Sequence, residues 1–210
     1  MFGAFLNKSQ HPAEVSHELH SVGLSGGLAA SGEGEMEEVE EEVIFAREFS
    51  MPSRHTFSMP PVERLLDKWL DGQEVIVDPF AGQSARGTIT NDLSLNSPAQ
   101  SHMLADGFVE QFDVIADAVL FDPPYSPRQI SECYQQVGMP CGKESTQSAA
   151  LYKRVKDGLH KILRPGGIAI CCGWNSVGFG ITRGYELLEV LLVTHGAAHN
   201  DTIVTVERKS

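Results

Sequence analysis

The 210-residue chain carries 28 acidic and 16 basic residues, for a net charge of −12, and 41% of its residues are hydrophobic. That length suits one compact domain, and no apolar run approaches the roughly 18 residues of a membrane span, so a cytoplasmic globular domain with no membrane partner is expected. The four cysteines, Cys133, Cys141, Cys171 and Cys172, form no CxxC pair, which argues against a zinc site or a disulfide framework.

Charge is concentrated at the start. Residues 1–50 hold ten acids and two bases, and the run Glu33, Glu35, Glu37, Glu38, Glu40, Glu41 and Glu42 contains no lysine or arginine. Self-repulsion among these glutamates predicts an acidic, disordered tail over 1–45, with an ordered domain over 46–210. Ser58-Met59-Pro60-Pro61 reads as a helix start, and Val62, Leu65, Leu66, Trp69 and Leu70 recur with helical spacing until Asp71-Gly72. Glu74 to Asp78 is a short buried strand running into a glycine loop, and Gly87 to Asn91 is a second strand. A further element lies around Met103 to Phe112. Ala118-Val119-Leu120-Phe121 has the continuous apolar character of a parallel strand covered on both faces, and it delivers Asp122 at its end. Residues 126–145, rich in Pro, Gly, Ser and Gln, read as a long loop. From Thr146, Leu151, Val155, Leu159, Ile162 and Leu163 restore the helical period, which Pro165-Gly166-Gly167 ends. Ile168 to Cys172 is the next strand. Leu187 to Thr194 and Thr202 to Glu207 are two more, joined by a connection short enough to require an antiparallel hairpin.

Four motifs then occur in order: Val77-Asp78-Pro79-Phe80-Ala81-Gly82, Asn91-Asp92, Ala105-Asp106 and Asp122-Pro123-Pro124-Tyr125. In type and order they resemble the motifs of the S-adenosylmethionine-dependent, amino-methylating DNA methyltransferases, over residues 56–125, with the strand and helix pattern continuing the likeness to about 207. The resemblance implies an α/β, Rossmann-like methyltransferase fold: a mostly parallel sheet with an antiparallel C-terminal hairpin and helices on both faces. It also implies S-adenosylmethionine as cofactor, DNA as partner and N6 of adenine as the methylated atom.

An exocyclic base amine is a weak nucleophile because its lone pair is delocalised into the ring. Acceptors on its N–H groups localise that pair toward the methyl donor. By resemblance, Asp122 and the Pro123 carbonyl are those acceptors, the Pro123-Pro124 pair fixes the backbone, and Tyr125 stacks on a base rotated out of the duplex. Asp78, Phe80, Ala81 and Gly82 would form the turn at the donor's methionine end, Asp92 would bind its ribose, and Asp106 would read its adenine amine. Thr56-Phe57-Ser58 resembles the segment that closes over the methionine end, although Ser58 equally suits a helix cap, and Asp92 and Asp106 equally suit caps or surface acids. Trp174 and Asn175, beyond the end of a parallel strand, and Arg128 and Lys143, as phosphate contacts, complete the candidate substrate-binding set. His195 and His199 suit turn chemistry better than a metal site.

Departures from the family pattern are concentrated near Gly82. Only ten positions separate it from Asp92, so the intervening helix must shrink to about one turn at 1.5 Å per residue, and Ser84 stands where a second glycine is usual. The intact Asp-Pro-Pro-Tyr motif also occurs in methyltransferases acting on guanine N2 or adenine of structural RNA. It speaks against the third reading, a non-catalytic nucleic-acid-binding module.

Overall fold

The computed structural model describes residues 42–140, 148–196 and 199–210, so Lys143 and most of the acidic tail lie outside the described residues. Seven strands form one sheet in the order β1-β6-β7-β5-β4-β2-β3. They are β1 (Ile44–Phe49), β2 (Ile76–Asp78), β3 (Ile89–Thr90), β4 (Ala116–Phe121), β5 (Leu163–Gly173), β6 (Tyr185–Thr194) and β7 (Thr202–Lys209). Every pairing is parallel except those of β7, which runs antiparallel between β5 and β6. Among the described residues no helix is long and apolar enough to cross a membrane.

Helix α1 (Pro60–Leu70) begins with two prolines, whose missing N–H groups cost nothing in a first turn. Its stripe of Val62, Leu65, Leu66 and Leu70 is buried against Ile76, Leu120, Ile170 and Leu191 on one face of the sheet. Trp69 Nε1, at 2.8 Å, and Lys68 Nζ, at 2.6 Å, both bond the buried Glu189 carboxylate of β6, so that acid is paired rather than stranded. The opposite face is covered by α2 (Ala105–Glu110) and α4 (Ser148–Ile162), whose Phe108, Val109, Val155 and Leu159 meet Val119, Phe121 and Ala169. Gly158 lets the two helices touch, because a Cβ there would lie 2.4 Å from Val109 Cγ2. Gly158→Ala is therefore expected to destabilise by about 1–3 kcal/mol, the overpacking outweighing the gain in helix propensity, and urea unfolding at constant m-value would measure it.

Four expectations need correction. Residues 127–136 form a helix, α3 (Pro127–Gln136), rather than loop. Ser126 and Gln129 build a reciprocal capping box around its Pro127 start, which offsets its lack of apolar residues. The turn after Gly82 contains no helix at all, even a short one, since the chain reaches β3 through irregular backbone. Leu163 belongs to the strand rather than to the helix, and β5 runs on through Pro165-Gly166-Gly167, a register shift between Ala116 and Ala118 absorbing the irregular stretch. The domain boundary at 45/46 falls inside β1, which pairs with β6 along its whole length, from Ile44↔Glu189 to Phe49↔Thr194.

The connection from β5 to β6 crosses a sheet face without an α-helix, using only a 3-10 turn at Ile181–Arg183. Buried Glu207 of β7 pins it by accepting from the amides of Phe179 at 2.5 Å and Gly180 at 2.8 Å. Arg183 adds bonds to the Phe179 carbonyl at 3.0 Å and to Asp157 at 3.1 Å.

Candidate active site

Strand order reverses between β2 and β4: the chain leaves β2 for β3 on one side and returns to place β4 on the other. A crevice opens at such a point, outside the carboxyl ends of the parallel strands. Here it is a cleft of about 910 Å³, and Asp78, at the end of β2, stands beneath the Pro79–Gly82 turn that lines it. Its wall includes Asp92 just beyond β3 and Asp122 just beyond β4.

Asp122 accepts a hydrogen bond on Oδ1 from the Tyr125 hydroxyl. Thr56 Oγ1 lies 3.4 Å from the same hydroxyl, so the Thr56–Ser58 turn meets the Asp122–Tyr125 motif. Burial pushes Asp122 up to about 6, against the lowering effect of its bonds to Tyr125 and Thr56. At pH 7 the carboxylate form, which only accepts hydrogen bonds, is therefore the favoured one. Among the described residues no donor engages the Pro123 carbonyl. The peptide geometry beyond it is fixed from two sides, by Tyr152 Oη donating to the Pro124 carbonyl and by the Tyr125 amide donating to Gln129 Oε1 at 2.7 Å.

Asp78 is completely buried. Its Oδ1 accepts from the Phe80 amide at 3.0 Å, while Oδ2 is buried with no partner. Burial pushes it up to about 8; the Phe80 bond lowers it, and the neighbouring charges of Asp122 and Asp92 add to the rise. An unpaired carboxylate oxygen in such a place is costly unless a cationic donor arrives.

The glycine turn is braced by the segment after β3. Asp92 accepts from Gly82 N at 2.9 Å and Ser94 N at 2.8 Å, and Asn91 O accepts from Ala81 N at 2.9 Å. Asn91 also ties Pro79 to Met103 through its side-chain amide, with bonds of 3.0–3.1 Å. These contacts replace the missing helix in holding the turn.

The other candidates are scattered. Ser58 lines the cleft but does not cap α1: the N-cap is Met59, without a side-chain bond, and Ser58 Oγ instead donates to the His55 carbonyl at 2.7 Å. Asp106 is outside the cleft wall; it starts α2 and accepts two bonds from Arg154 at 2.9 and 3.0 Å, although Met103, Leu104 and Ala105 before it do line the cleft. Trp174 is 45% exposed and sits beside Tyr125, with ring centroids 5.7 Å apart, at the mouth rather than in the wall. Asn175 accepts from the Val177 amide at 3.1 Å within its own loop. Arg128 points out from α3 and pairs with Glu132 one turn on. His195 is buried between the Ser50 carbonyl and Thr202 Oγ1, at 2.8 and 2.9 Å, in a structural role. Sequence reasoning passed over Gln129 and Tyr152, although a serine-proline pair followed by glutamine at the third helical position marks a capping box.

No protein-family profile matches the chain, and no curated protein matches its sequence. Similar solved structures include TrmN from Thermus thermophilus, 17% identical over 72% of this chain and 49% of TrmN, with a TM-score of 0.47. NSun6 from Pyrococcus horikoshii, determined with SFG, is 17% identical over 69% of this chain and 50% of its own, with a TM-score of 0.48. An rRNA methylase from Streptococcus thermophilus is 11% identical over 77% of this chain and all of its own, with a TM-score of 0.45. The chain spans about half the length of the first two. Its scaffold is Rossmann-like. The chain's own strand order and its reversed β7 carry that statement, and the chemistry rests on the residues of the cleft.

Proposed function

We propose that the chain transfers a methyl group from S-adenosylmethionine to an exocyclic nucleobase amine, N6 of adenine in DNA. The observation that carries this reading is the end of β4. There a half-buried Asp122, an unengaged Pro123 carbonyl and the aromatic Tyr125 converge on one cleft. Two acceptors of fixed geometry beside a flat apolar ring suit an amine on a planar base.

The cleft's residues also fit the donor. Asp78, beneath the turn with an unpartnered buried oxygen, would receive the ammonium of the methionine moiety. Asp92 keeps lone pairs for the ribose hydroxyls beyond its two backbone bonds, and Met103 to Ala105 are placed for the adenine. When bound, the donor supplies an electrophilic methyl group. Asp122 accepts one amine N–H and the Pro123 carbonyl the other, which raises electron density on nitrogen, and Tyr125 and Trp174 hold the base from one side. The amine proton released on methylation leaves toward Asp122, whose elevated pKa suits it to receive one.

The Tyr125 bond stabilises the charged form of Asp122. Removing it in Tyr125→Phe is expected to raise the Asp122 pKa above about 6, moving the acidic limb of the kcat/KM profile to higher pH while leaving the ring to stack. An unchanged limb would detach Tyr125 from Asp122 ionisation.

The test of the function is methyl transfer from labelled donor to duplex DNA, single-stranded DNA and structured RNA, with the product nucleosides identified by mass spectrometry. N6-methyladenine in DNA is the expected product. A methylated RNA base would replace the substrate assignment, and donor binding without transfer to any nucleic acid would overturn the reading. Methylated adenines should occur in many sequence contexts. α3 and the β5–β6 connection offer little surface for base-edge contacts, and each mismatch they could sense is worth roughly 1–3 kcal/mol.

A further inference from the structure

The glycine turn of this chain lacks the usual means of holding an anion. In doubly wound sheets such a turn opens a helix, whose free amides and dipole attract negative groups. Here no helix follows Gly82. Five of the turn's amides are also committed, Phe80 to Asp78, Ala81 to Asn91, Gly82 to Asp92, Ser84 to the Ala81 carbonyl and Arg86 to Ser84 Oγ, which leaves only the separated amides of Gln83 and Ala85 without a partner among the described residues. The cleft wall moreover carries Glu63, Asp92, Asp122 and Glu132, with Asp78 buried beneath the turn, so a ligand carboxylate would enter a negative field.

Arg54 and Arg86 are the lysine or arginine residues of that wall among the described residues. Arg86 is ion-paired with Asp67 on α1. Arg54 has no partner among the described residues, yet the turn that presents it is well organised. Ser53 Oγ accepts from the His55 amide at 3.1 Å and bonds Ser58 Oγ at 3.0 Å, and Thr56 anchors the same turn against Tyr125. A buried acid lacking a cation thus lies beneath the glycine turn, and a guanidinium lacking an anion stands in the cleft wall. An amino-acid zwitterion presents those two charges on one carbon.

We infer that Arg54 binds the α-carboxylate of the methyl donor, taking over the role that helix amides play where the glycine turn opens a helix. The inference rests on the proposed use of S-adenosylmethionine. A guanidinium supplies two parallel N–H groups to a carboxylate, and its charge offsets the surrounding acids.

Calorimetric titration of the full chain with S-adenosylhomocysteine and with its decarboxylated analogue tests this. Arg54→Ala should weaken S-adenosylhomocysteine by about tenfold or more and leave the decarboxylated analogue within about twofold, with Arg54→Lys in between. Equal losses for both ligands would mean a disturbed cleft and overturn the inference. So would unchanged S-adenosylhomocysteine affinity accompanied by weaker DNA binding, which would make Arg54 a phosphate contact. If the wild-type chain binds neither ligand, the donor reading itself fails and this inference falls with it, an outcome distinct from either variant result.

Discussion

Replacing Asp122 with alanine is expected to lower methyl transfer by about two to three orders of magnitude or more while S-adenosylhomocysteine affinity stays within a few-fold. In the proposed reaction the carboxylate accepts from the base amine, and its loss removes an acceptor that matters most as positive charge builds on nitrogen. Donor affinity should hold or improve slightly, because Asp122 is one of the like charges that raise the Asp78 pKa. Asp122→Asn keeps the shape and one acceptor oxygen, so it separates lost chemistry from a collapsed cleft. Single-turnover rates and equilibrium binding, measured on the same preparations, check both halves. Wild-type turnover in Asp122→Ala would remove this residue from the reaction.

Donor binding is expected to expel a proton from Asp78. In the free protein burial holds this carboxyl up to about 8, so it is mostly protonated at neutral pH. An ammonium against its unpartnered oxygen favours the charged form and draws the pKa down. Affinity should therefore rise with pH between about 6 and 7.5, approaching tenfold per unit. Calorimetry in buffers of different ionisation heat should show net proton release. Asp78→Asn should abolish the release and weaken the donor, yet it should stabilise the free protein. In the unfolded chain an aspartate ionises near 3.8, whereas the folded one waits until about 8. The stability associated with its protonated form is thus complete below about pH 4 and is lost progressively as pH rises to about 8. Asparagine avoids that loss, so Tm at pH 7 should increase by roughly 2–4 °C for each kcal/mol recovered. A lower Tm together with pH-independent binding would show that Asp78 is a structural acid instead.

Where sequence pattern and burial share one period, the fold was legible. The stripe from Val62 to Leu70 became the buried face of α1, and the run Ala118 to Phe121 became a central strand. The hairpin of β6 and β7 followed from the short connection between two apolar runs. Elements whose stability comes from side-chain bonds or from a single partner were not legible. Only Ile130 of α3 is buried, so no periodicity announces that helix. β1 mixes Phe45 and Phe49 with Arg47 and Glu48, as an edge strand does, and its pairing is visible only once β6 stands beside it. In the site, the acids at strand ends were legible because topology places them. Asp106 was not, since its partner Arg154 lies 48 positions away on another helix. The commitment of the Ala81 and Gly82 amides depends on Asn91 and Asp92 after β3, a partnership no local motif encodes.

The pairing of β1 with β6 also sets a timetable for synthesis. Ile44 lies opposite Glu189, which is 145 positions later in the chain. At roughly 5–20 residues per second, the ribosome keeps β1 waiting about 7–30 seconds for its neighbour. Phe45 and Phe49, still 44% and 64% exposed in the finished fold, have no sheet to pack beside in that interval. The first strand made thus joins the sheet only after nearly the whole chain has emerged, and nascent chains stalled before β6 are where ribosome-associated chaperones should bind this segment most.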